Sequence, residues 1–242
     1  MTRITKIAVI GLVLSFVFLV DGFAGKHVSA SDHSSDATGL INEDSSITLP
    51  EPEKDSSVSI ELALNLRKSV REYTGESLTL QEISQIMWAA QGENEQGSRT
   101  APSAGALYPI EVYLVLSSVD GLVSGIYKYQ PDSHSLVLIK EGEYGQKLSE
   151  ASLSQESIAK APAVIVLAGV AERLTVKYGE RGERFMYVEV GHVAQNILLQ
   201  GVSMELGAVT IGAFNDDAVH QLLLMEASEQ PLYVLPIGKL LD

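Results

Sequence analysis

One stretch decides how the rest of this 242-residue chain is interpreted: Arg99-Thr-Ala-Pro-Ser-Ala-Gly-Ala-Leu-Tyr-Pro-Ile-Glu-Val-Tyr113. Pro102, Gly105 and Pro109 punctuate a loop that is otherwise rich in small residues. The β-branched and aromatic residues that follow, Ile110–Leu116, are typical of a buried strand. A loop without bulk, held by prolines and joined to a strand, lets a flat ligand approach the backbone closely. The same composition also suits an ordinary tight connection, so its interpretation depends on the rest of the chain.

Charge and composition exclude several classes of protein. The formal net charge of −14 argues against a nucleic-acid binder, which needs a basic surface. The chain has no cysteine, which excludes disulfides, thiolate metal sites and cysteine nucleophiles. The five histidines show neither HExxH nor HxH spacing, so the sequence predicts no metal site.

The first residues have the layout of a secretory signal peptide. Arg3 and Lys6 precede an uncharged apolar run at residues 7–20, and Val28-Ser-Ala30 offers small residues for cleavage. The run is short for a membrane span, which needs roughly 20 residues, but an uncleaved N-terminal anchor stays open as an alternative. We therefore expect residues 1–30 to be a signal peptide and the protein to be exported, to the periplasm or outside the cell. The acidic mature chain is not expected to associate stably with a membrane.

Local patterns divide the remainder into a predicted disordered linker at residues 31–57 and a folded domain at residues 58–242. Ser59 is a possible N-cap for a helix over Ile60–Leu66, and Thr79-Leu-Gln-Glu82 is a capping box for a helix that ends near Gly92. Further predicted strands cover residues 110–116, 125–129, 135–139, 163–168, 209–211 and 231–237. Further predicted helices cover residues 183–206 and 216–224. Strands and helices mix without a regular βαβ repeat, which favours an α+β fold.

A basic segment, Leu66-Arg-Lys-Ser-Val-Arg-Glu-Tyr73, stands out in this acidic chain. Arginine, lysine and serine side chains together suit a phosphate group. The alternative is a solvated helix C-terminus, where basic residues complement the helix dipole.

Four motifs then occur in order along the chain. They are Arg67-Lys-Ser-Val-Arg71, the loop at residues 100–109, Gly191-His-Val-Ala-Gln-Asn196, and Gly212-Ala-Phe followed by Pro-Leu-Tyr-Val-Leu-Pro-Ile-Gly238. Together they resemble the FMN-dependent nitroreductase-like superfamily, and within it the SagB/ThcOx-type dehydrogenases, over about residues 59–239. The resemblance implies an α+β fold with a central mixed or antiparallel sheet flanked by helices. It also implies a homodimer with a flavin at each interface.

The resemblance implies three groups of cofactor-binding residues. The FMN phosphate and ribityl chain would be held by Arg67, Lys68, Ser69 and Arg71. The flavin of the partner subunit would be reached by Pro102 and Ser103. Backbone amides facing the reactive flavin nitrogen would belong to Gly212 and Ala213.

Two details favour the SagB-like branch. Many nitroreductases carry Asn, Gln and Trp where this chain has Ala106, Tyr108 and Ile110. Azole-forming members of that branch have a Lys-Tyr pair before the long helix, and Lys177-Tyr178 stands there in this chain. In those enzymes the pair removes a proton from the substrate while a hydride leaves to the flavin. The alternative is that Lys177 is a loop cation and Tyr178 a packing residue.

The resemblance therefore predicts an FMN-dependent oxidoreductase that acts on a small-molecule or azoline-like peptide substrate. Two rivals stay open: an NAD(P)H-dependent nitro- or quinone reductase on the same fold, and a flavin-free binding protein. Glu189, His192 and Asn196 form one polar stripe of the long predicted helix. That stripe is either a solvent face or a buried polar contact near the interface or the flavin.

Overall fold

The computed structural model describes residues 46–241, which form a sheet and the helices around it. The strands are β1 (Ser46–Thr48), β2 (Ile110–Leu116), β3 (Gly125–Gln130), β4 (Ser135–Glu141), β5 (Ala163–Gly169), β6 (Leu206–Ala208) and β7 (Gln230–Lys239). The helices are α1 (Ile60–Leu66), α2 (Leu80–Gln91), α3 (Gly145–Ala151), α4 (Glu156–Lys160), α5 (Glu172–Tyr178), α6 (Arg181–Ser203) and α7 (Asp216–Leu222).

The sheet has the strand order β1-β4-β3-β2-β5-β7-β6, and all neighbouring strands run antiparallel. Side chains of α2 and α6 pack on one face of the sheet, and those of α3, α4 and α7 pack on the other. Every residue of β5 is buried, as expected for a strand covered on both faces. The predicted α+β class and the helix-flanked antiparallel sheet are confirmed.

The helix boundaries with clear capping signals are where the sequence predicts them. Ser59 Oγ accepts a hydrogen bond from the Leu62 backbone N–H at 3.2 Å, which starts α1. Thr79 and Glu82 form the reciprocal bonds of a capping box at the start of α2, at 2.7 and 3.2 Å. These caps satisfy backbone N–H groups that the first helical turn leaves without partners.

The predicted end of the long helix is wrong. Helix α6 ends at Ser203 rather than at Leu206, because Glu205 adopts a left-handed backbone conformation with φ 58° and reverses the chain. Leu206 then begins β6, which pairs with the end of β7. The predicted strand at residues 209–211 is also wrong, since only Ile211 makes an isolated bridge there, to Val234.

The segment at residues 46–57 is ordered, which corrects that part of the predicted linker. Strand β1 pairs with β4, and Leu49 is only 4% exposed in the core. Glu53 and Gln85 then exchange two hydrogen bonds of 2.8 Å, which hold the segment against α2. The serine-rich and acidic composition of this segment does not indicate its order, because the contacts are made largely by the backbone. The predicted signal peptide and residues 31–45 lie outside the described residues.

His134 fixes this N-terminal segment to the sheet. Its backbone carbonyl accepts from the Leu49 N–H at 3.0 Å, and its ring nitrogens lie 2.7 Å from Ser84 Oγ and 2.8 Å from Tyr129 Oη. Ser84 Oγ also donates to the Pro50 carbonyl. Burial lowers the pKa of His134, so the ring is neutral near pH 7. Because Ser84 has no exposed surface, we interpret the cluster as structural rather than catalytic.

Within residues 46–241, the structure contains no helix with the length and hydropathy needed to cross a membrane.

Candidate functional site

The basic segment follows α1 and runs beside strand β6. The backbone N–H of Val70 donates to the Ala208 carbonyl at 3.0 Å. A methyl group at Gly207 would stand only 2.6 Å from Val70 Cγ1, so glycine is required for this close approach. Local pairing with β6 therefore fixes the backbone of the segment that carries the predicted phosphate-binding side chains.

Tyr73 holds the far end of the same segment. Its hydroxyl lies 3.1 Å from the carbonyl oxygens of Val70 and Pro236, and its ring covers Gly238. Burial raises the pKa of Tyr73, so the hydroxyl keeps its proton and acts as a donor. The segment is thus attached to both β6 and β7.

The cations of this segment are available to a ligand. Arg67 is half-buried, whereas Lys68, Ser69 and Arg71 are exposed. Within residues 46–241, none of the three cations lies within ion-pair distance of a carboxylate. Uncommitted guanidinium, ammonium and hydroxyl groups on a fixed backbone suit an anion such as a phosphate.

Gly212 and Ala213 lie close to the basic segment. Ile211 exchanges two backbone hydrogen bonds of 2.9 Å with Val234, and the next two residues are exposed. Ala208, the partner of Val70, precedes Gly212 by four residues, a span of at most about 14 Å. The structure therefore places the predicted phosphate-binding group and the predicted bare-backbone group at one edge of the sheet.

The loop before β2 is a strained turn. Gly105, Ala106 and Tyr108 all have positive φ angles, of 65°, 55° and 45°. Ser103 stabilises the turn, because its Oγ accepts from the Tyr108 N–H at 2.8 Å and its carbonyl accepts from the Ala106 N–H at 3.1 Å. Such conformations in non-glycine residues persist only where the surroundings enforce them, and they cluster at ligand sites.

Lys177 and Tyr178, at the end of α5, reach this turn. A methyl group at Gly105 would stand 2.7 Å from both Lys177 Nζ and Tyr178 Oη. Tyr178 packs edge-on against Phe185, with ring centroids 5.2 Å apart. The structure thus brings the predicted Lys-Tyr pair onto the predicted Pro102–Ser103 loop.

A chain of ion pairs fixes α5 and the loop to the sheet. Arg173 donates to the Tyr108 carbonyl at 2.7 Å and pairs with Glu111 at 2.5 Å. Glu111 also pairs with Lys128 at 3.2 Å, and Lys128 pairs with Glu229 at 2.6 Å. Since Arg173 lies one helical turn before Lys177, this chain positions the helix that carries the Lys-Tyr pair.

Glu229 is the most deeply buried carboxylate in this series of ion pairs. It is 6% exposed and accepts hydrogen bonds from Lys128 Nζ at 2.6 Å and from the Tyr113 hydroxyl at 2.5 Å. Burial alone would raise its pKa, but the hydrogen bonds from Lys128 and Tyr113 outweigh burial and lower it. No local sequence pattern indicates this series of ion pairs, because its members come from four separate elements.

Glu189 is the other functional candidate whose role the sequence left open. It is only 2% exposed, and its Oε2 lies 3.4 Å from the Ala104 N–H, below the loop. Within the polar stripe, His192 is exposed and Asn196 is half-buried, so the stripe is not one uniform surface. Glu189 follows Met186 by three residues and precedes Val193 by four, and this placement on the buried face was the available signal.

The predicted site residues form two groups in the described part of the chain. Among residues 46–241, no hydrogen bond or ion pair joins the Arg67–Gly212 region to the Ser103–Lys177 region. A cavity of about 460 Å³ lies between α1, α2 and α6, and another of about 360 Å³ lies beside Arg99 and Tyr108. Neither cavity is lined by a predicted site residue.

Comparison with known proteins connects this geometry to a family. The model of the nitroreductase family matches residues 64–239. Protein MJ1384 of Methanocaldococcus jannaschii, named "Putative nitroreductase", is 44% identical over 197 residues, which cover 81% of this chain and 97% of that protein.

Two solved structures have the same fold. A nitroreductase-type protein of Ralstonia eutropha JMP134 has a TM-score of 0.73 and 30% identity, over 82% of this chain and 90% of its own. A chain of the Escherichia coli microcin synthetase McbBCD complex, with truncated pro-MccB17 bound, has a TM-score of 0.63 and 25% identity, over 81% of this chain and 79% of its own.

The family model spans most of the described residues, and the Methanocaldococcus jannaschii and Ralstonia eutropha proteins match over 97% and 90% of their own lengths. The antiparallel sheet flanked by helices agrees with both solved structures. The chain therefore belongs to the nitroreductase family, a family of oxidoreductases.

Proposed function

We propose that this protein is an FMN-dependent oxidoreductase of the SagB/ThcOx type. It moves a hydride between a small-molecule or azoline-like peptide substrate and the flavin. The observation that carries this proposal is the meeting of Lys177 Nζ and Tyr178 Oη over Gly105. The likeness to the microcin B17-processing protein McbC of Escherichia coli, 27% identical over 173 residues, supports a substrate of that class.

The residues present fit FMN. Arg67, Lys68 and Arg71 offer positive charge that no carboxylate among residues 46–241 pairs with, and Ser69 adds a hydroxyl beside them. Gly212 and Ala213 are exposed and carry no bulk, so a flat ring can lie against their backbone. When bound, FMN supplies the two-electron acceptor for a hydride.

The Lys-Tyr pair manages the proton of the reaction. Oxidation of an azoline ring removes one hydrogen as a hydride and one as a proton from the adjacent carbon. Lys177 Nζ and Tyr178 Oη both reach Gly105 of the loop, and in this proposal the deprotonated form of one of them accepts that proton and passes it on to solvent. Arg173 and the turn at Gly105 fix the position of the Lys-Tyr pair relative to the loop.

The site is completed across a homodimer interface in this proposal. Helix α1 buries only Ala63, while Ile60, Leu62, Leu64 and Leu66 are 43–57% exposed. A short helix that exposes four large apolar side chains needs a covering surface. A second copy of the chain provides it, and its Pro102–Ser103 loop would then reach the flavin held by the first subunit.

We also propose that the protein is exported and cleaved near Ala30. Mass spectrometry of the protein recovered from the cell envelope and the medium tests this. A mature N-terminus near Ser31 supports cleavage, whereas an intact N-terminus in the membrane fraction supports an uncleaved anchor.

The first experiment measures FMN binding by the purified domain. The protein is incubated with FMN and passed through gel filtration, and the flavin absorption that stays with it is recorded. Arg67→Ala/Arg71→Ala should lose most of this absorption. Lys140→Ala/Lys147→Ala removes the same charge from another exposed surface and should retain it. Colourless wild-type protein at saturating FMN would leave the flavin-free binding protein as the better interpretation.

A second experiment separates the two enzymatic readings. The FMN-loaded protein is mixed under argon with 2-phenylthiazoline-4-carboxamide or with NADPH, and bleaching of the flavin absorption is followed. Bleaching by the thiazoline, with formation of the thiazole, supports the proposed dehydrogenase. Bleaching by NADPH alone, followed by reduction of a nitrofuran, supports the nitro- or quinone reductase.

A further inference from the structure

A buried carboxyl group lies directly beneath the loop that receives the Lys-Tyr pair. Glu189 of α6 is 2% exposed, and its Oε2 accepts from the Ala104 N–H at 3.4 Å. Its second oxygen, Oε1, is buried without a hydrogen-bond partner among the described residues.

We propose that Glu189 is a positioning residue that holds residues 102–106 in their left-handed turn and thereby sets Lys177 and Tyr178. The proposal rests on the proposed function only for the chemical role of Lys177 and Tyr178. The hold of Glu189 on the loop is a property of the chain without any ligand.

The hydrogen bonds give the physical route. The Ala104 N–H donates to Glu189 Oε2 at 3.4 Å, and the Tyr108 N–H donates to Ser103 Oγ at 2.8 Å. Glu189 therefore holds one end of the turn at Ala104, while the bond from Tyr108 to Ser103 closes the other end. Gly105, between these ends, is the contact surface for Lys177 and Tyr178, so a shift of the turn moves the surface against which the pair packs.

Burial raises the pKa of Glu189 and outweighs its favourable polar contacts with Ser103 and Ala104, so the uncharged form is favoured more than in an exposed glutamate. The charged or titratable groups that face it are His192 on α6 itself and Arg99 from the preceding loop, and Lys177 of α5 lies above Gly105. A buried anion with one bare oxygen is much less favourable than a neutral acid. As the pH rises, ionisation strengthens the bond from the Ala104 N–H but penalises the buried arrangement. Because the pKa is raised, the penalty is the larger of the two effects, and the packed loop is expected to lose stability.

Hydrogen–deuterium exchange of the flavin-free protein tests the hold directly. Peptides covering residues 99–109 should exchange about tenfold faster in Glu189→Ala than in wild type, which corresponds to ~1.4 kcal/mol of local stability. Glu183→Gln, an exposed position on the same helix, is the matched control and should behave as wild type. Equal loop protection in folded Glu189→Ala and wild type would overturn the proposal.

The pH dependence separates this role from simple packing. After correction for intrinsic exchange, wild-type loop protection should fall as the pH rises above the ordinary carboxyl value of 4.5 and through the raised pKa of Glu189. Glu189→Gln mimics the neutral acid and should stay protected throughout. A pH dependence that persists in Glu189→Gln and disappears in His192→Gln would assign the titration to His192 and overturn the proposal.

The affinity for FMN is measured in the same variants by flavin fluorescence. If wild type does not bind FMN, the proposed function fails, but the exchange experiment still decides the role of Glu189. If FMN binds and Glu189→Ala changes only loop protection, the proposed function survives and the loop does not contribute to cofactor affinity.

Discussion

Replacing Gly105 by alanine should lower the rate of flavin reduction much more than it lowers the stability of the folded domain. The added methyl group would stand 2.7 Å from Lys177 Nζ and Tyr178 Oη, whereas ordinary contact begins at 3.4 Å. Both side-chain ends must withdraw by about 0.7 Å, and they can do so because they are the free tips of flexible side chains. A displacement of roughly 1 Å at a reacting group reduces rates by about 10²-fold.

The expected loss of stability is small by comparison. Alanine at the φ of 65° found at Gly105 costs about 1–2 kcal/mol of folding free energy. For a domain of this size that lowers the Tm by roughly 2–8 °C. Neighbouring Ala106 already adopts φ 55°, so the turn tolerates a side chain in this conformation.

Gly121→Ala is the matched control, because Gly121 has φ 81° and no heavy atom within 4 Å of the added methyl group. It has the same backbone strain without the obstruction. The assay is anaerobic bleaching of bound FMN by 2-phenylthiazoline-4-carboxamide, with the Tm measured in parallel. If Gly105→Ala reduces flavin as fast as Gly121→Ala, the Lys-Tyr pair is not placed by Gly105 and our reasoning about the site is wrong.

Three further predictions test other parts of the structure. Tyr73→Phe removes the hydroxyl that lies against two backbone carbonyls, so it should weaken FMN binding severalfold and lower the unfolding free energy by about 1 kcal/mol in urea titrations. Glu229→Gln should destabilise the domain by about 2–3 kcal/mol at pH 7. Because the pKa of Glu229 is lowered, the extra stability of the wild type is present above the ordinary carboxyl range and should vanish as the pH falls through that lowered pKa. Equal unfolding curves of the two proteins at pH 7 would contradict this. If each site combines residues of two subunits, heterodimers of an Arg67→Ala/Arg71→Ala subunit with a Gly105→Ala subunit should recover about half of the wild-type rate. The reason is that one of the two sites then contains only wild-type segments. No recovery would place each site within one chain.

Local signals made much of the fold predictable. The caps at Ser59 and Thr79 and the apolar strand runs involve residues close in sequence, so their patterns are informative alone. The end of α6 was missed because Glu205 carries no sequence signal for its left-handed conformation. The order at residues 46–57 was missed because it depends on backbone bonds to β4 and α2, which composition does not report.

The site was predictable in its parts and less so in its assembly. The resemblance supplied Lys177 and Tyr178, but only the three-dimensional structure brings them to Gly105. The chain from Arg173 to Glu229 crosses α5 and several strands, so no spacing along the sequence indicates it. Long-range pairs of this kind depend on the strand order, which a single sequence does not encode in any local pattern.

The place of β1 in the sheet has a consequence for how copies of this protein associate. Among residues 46–241, this strand lies at the end of the strand order and pairs only with β4, so it shields the outer backbone of β4 from other chains. Proteolysis that removed residues up to Leu49 would uncover the edge of β4 and take an anchor out of the core. Unprotected edges of this kind recruit strands from neighbouring molecules. We therefore expect a shortened protein that lacks β1 to aggregate, whereas one that keeps residues 46–49 stays dispersed.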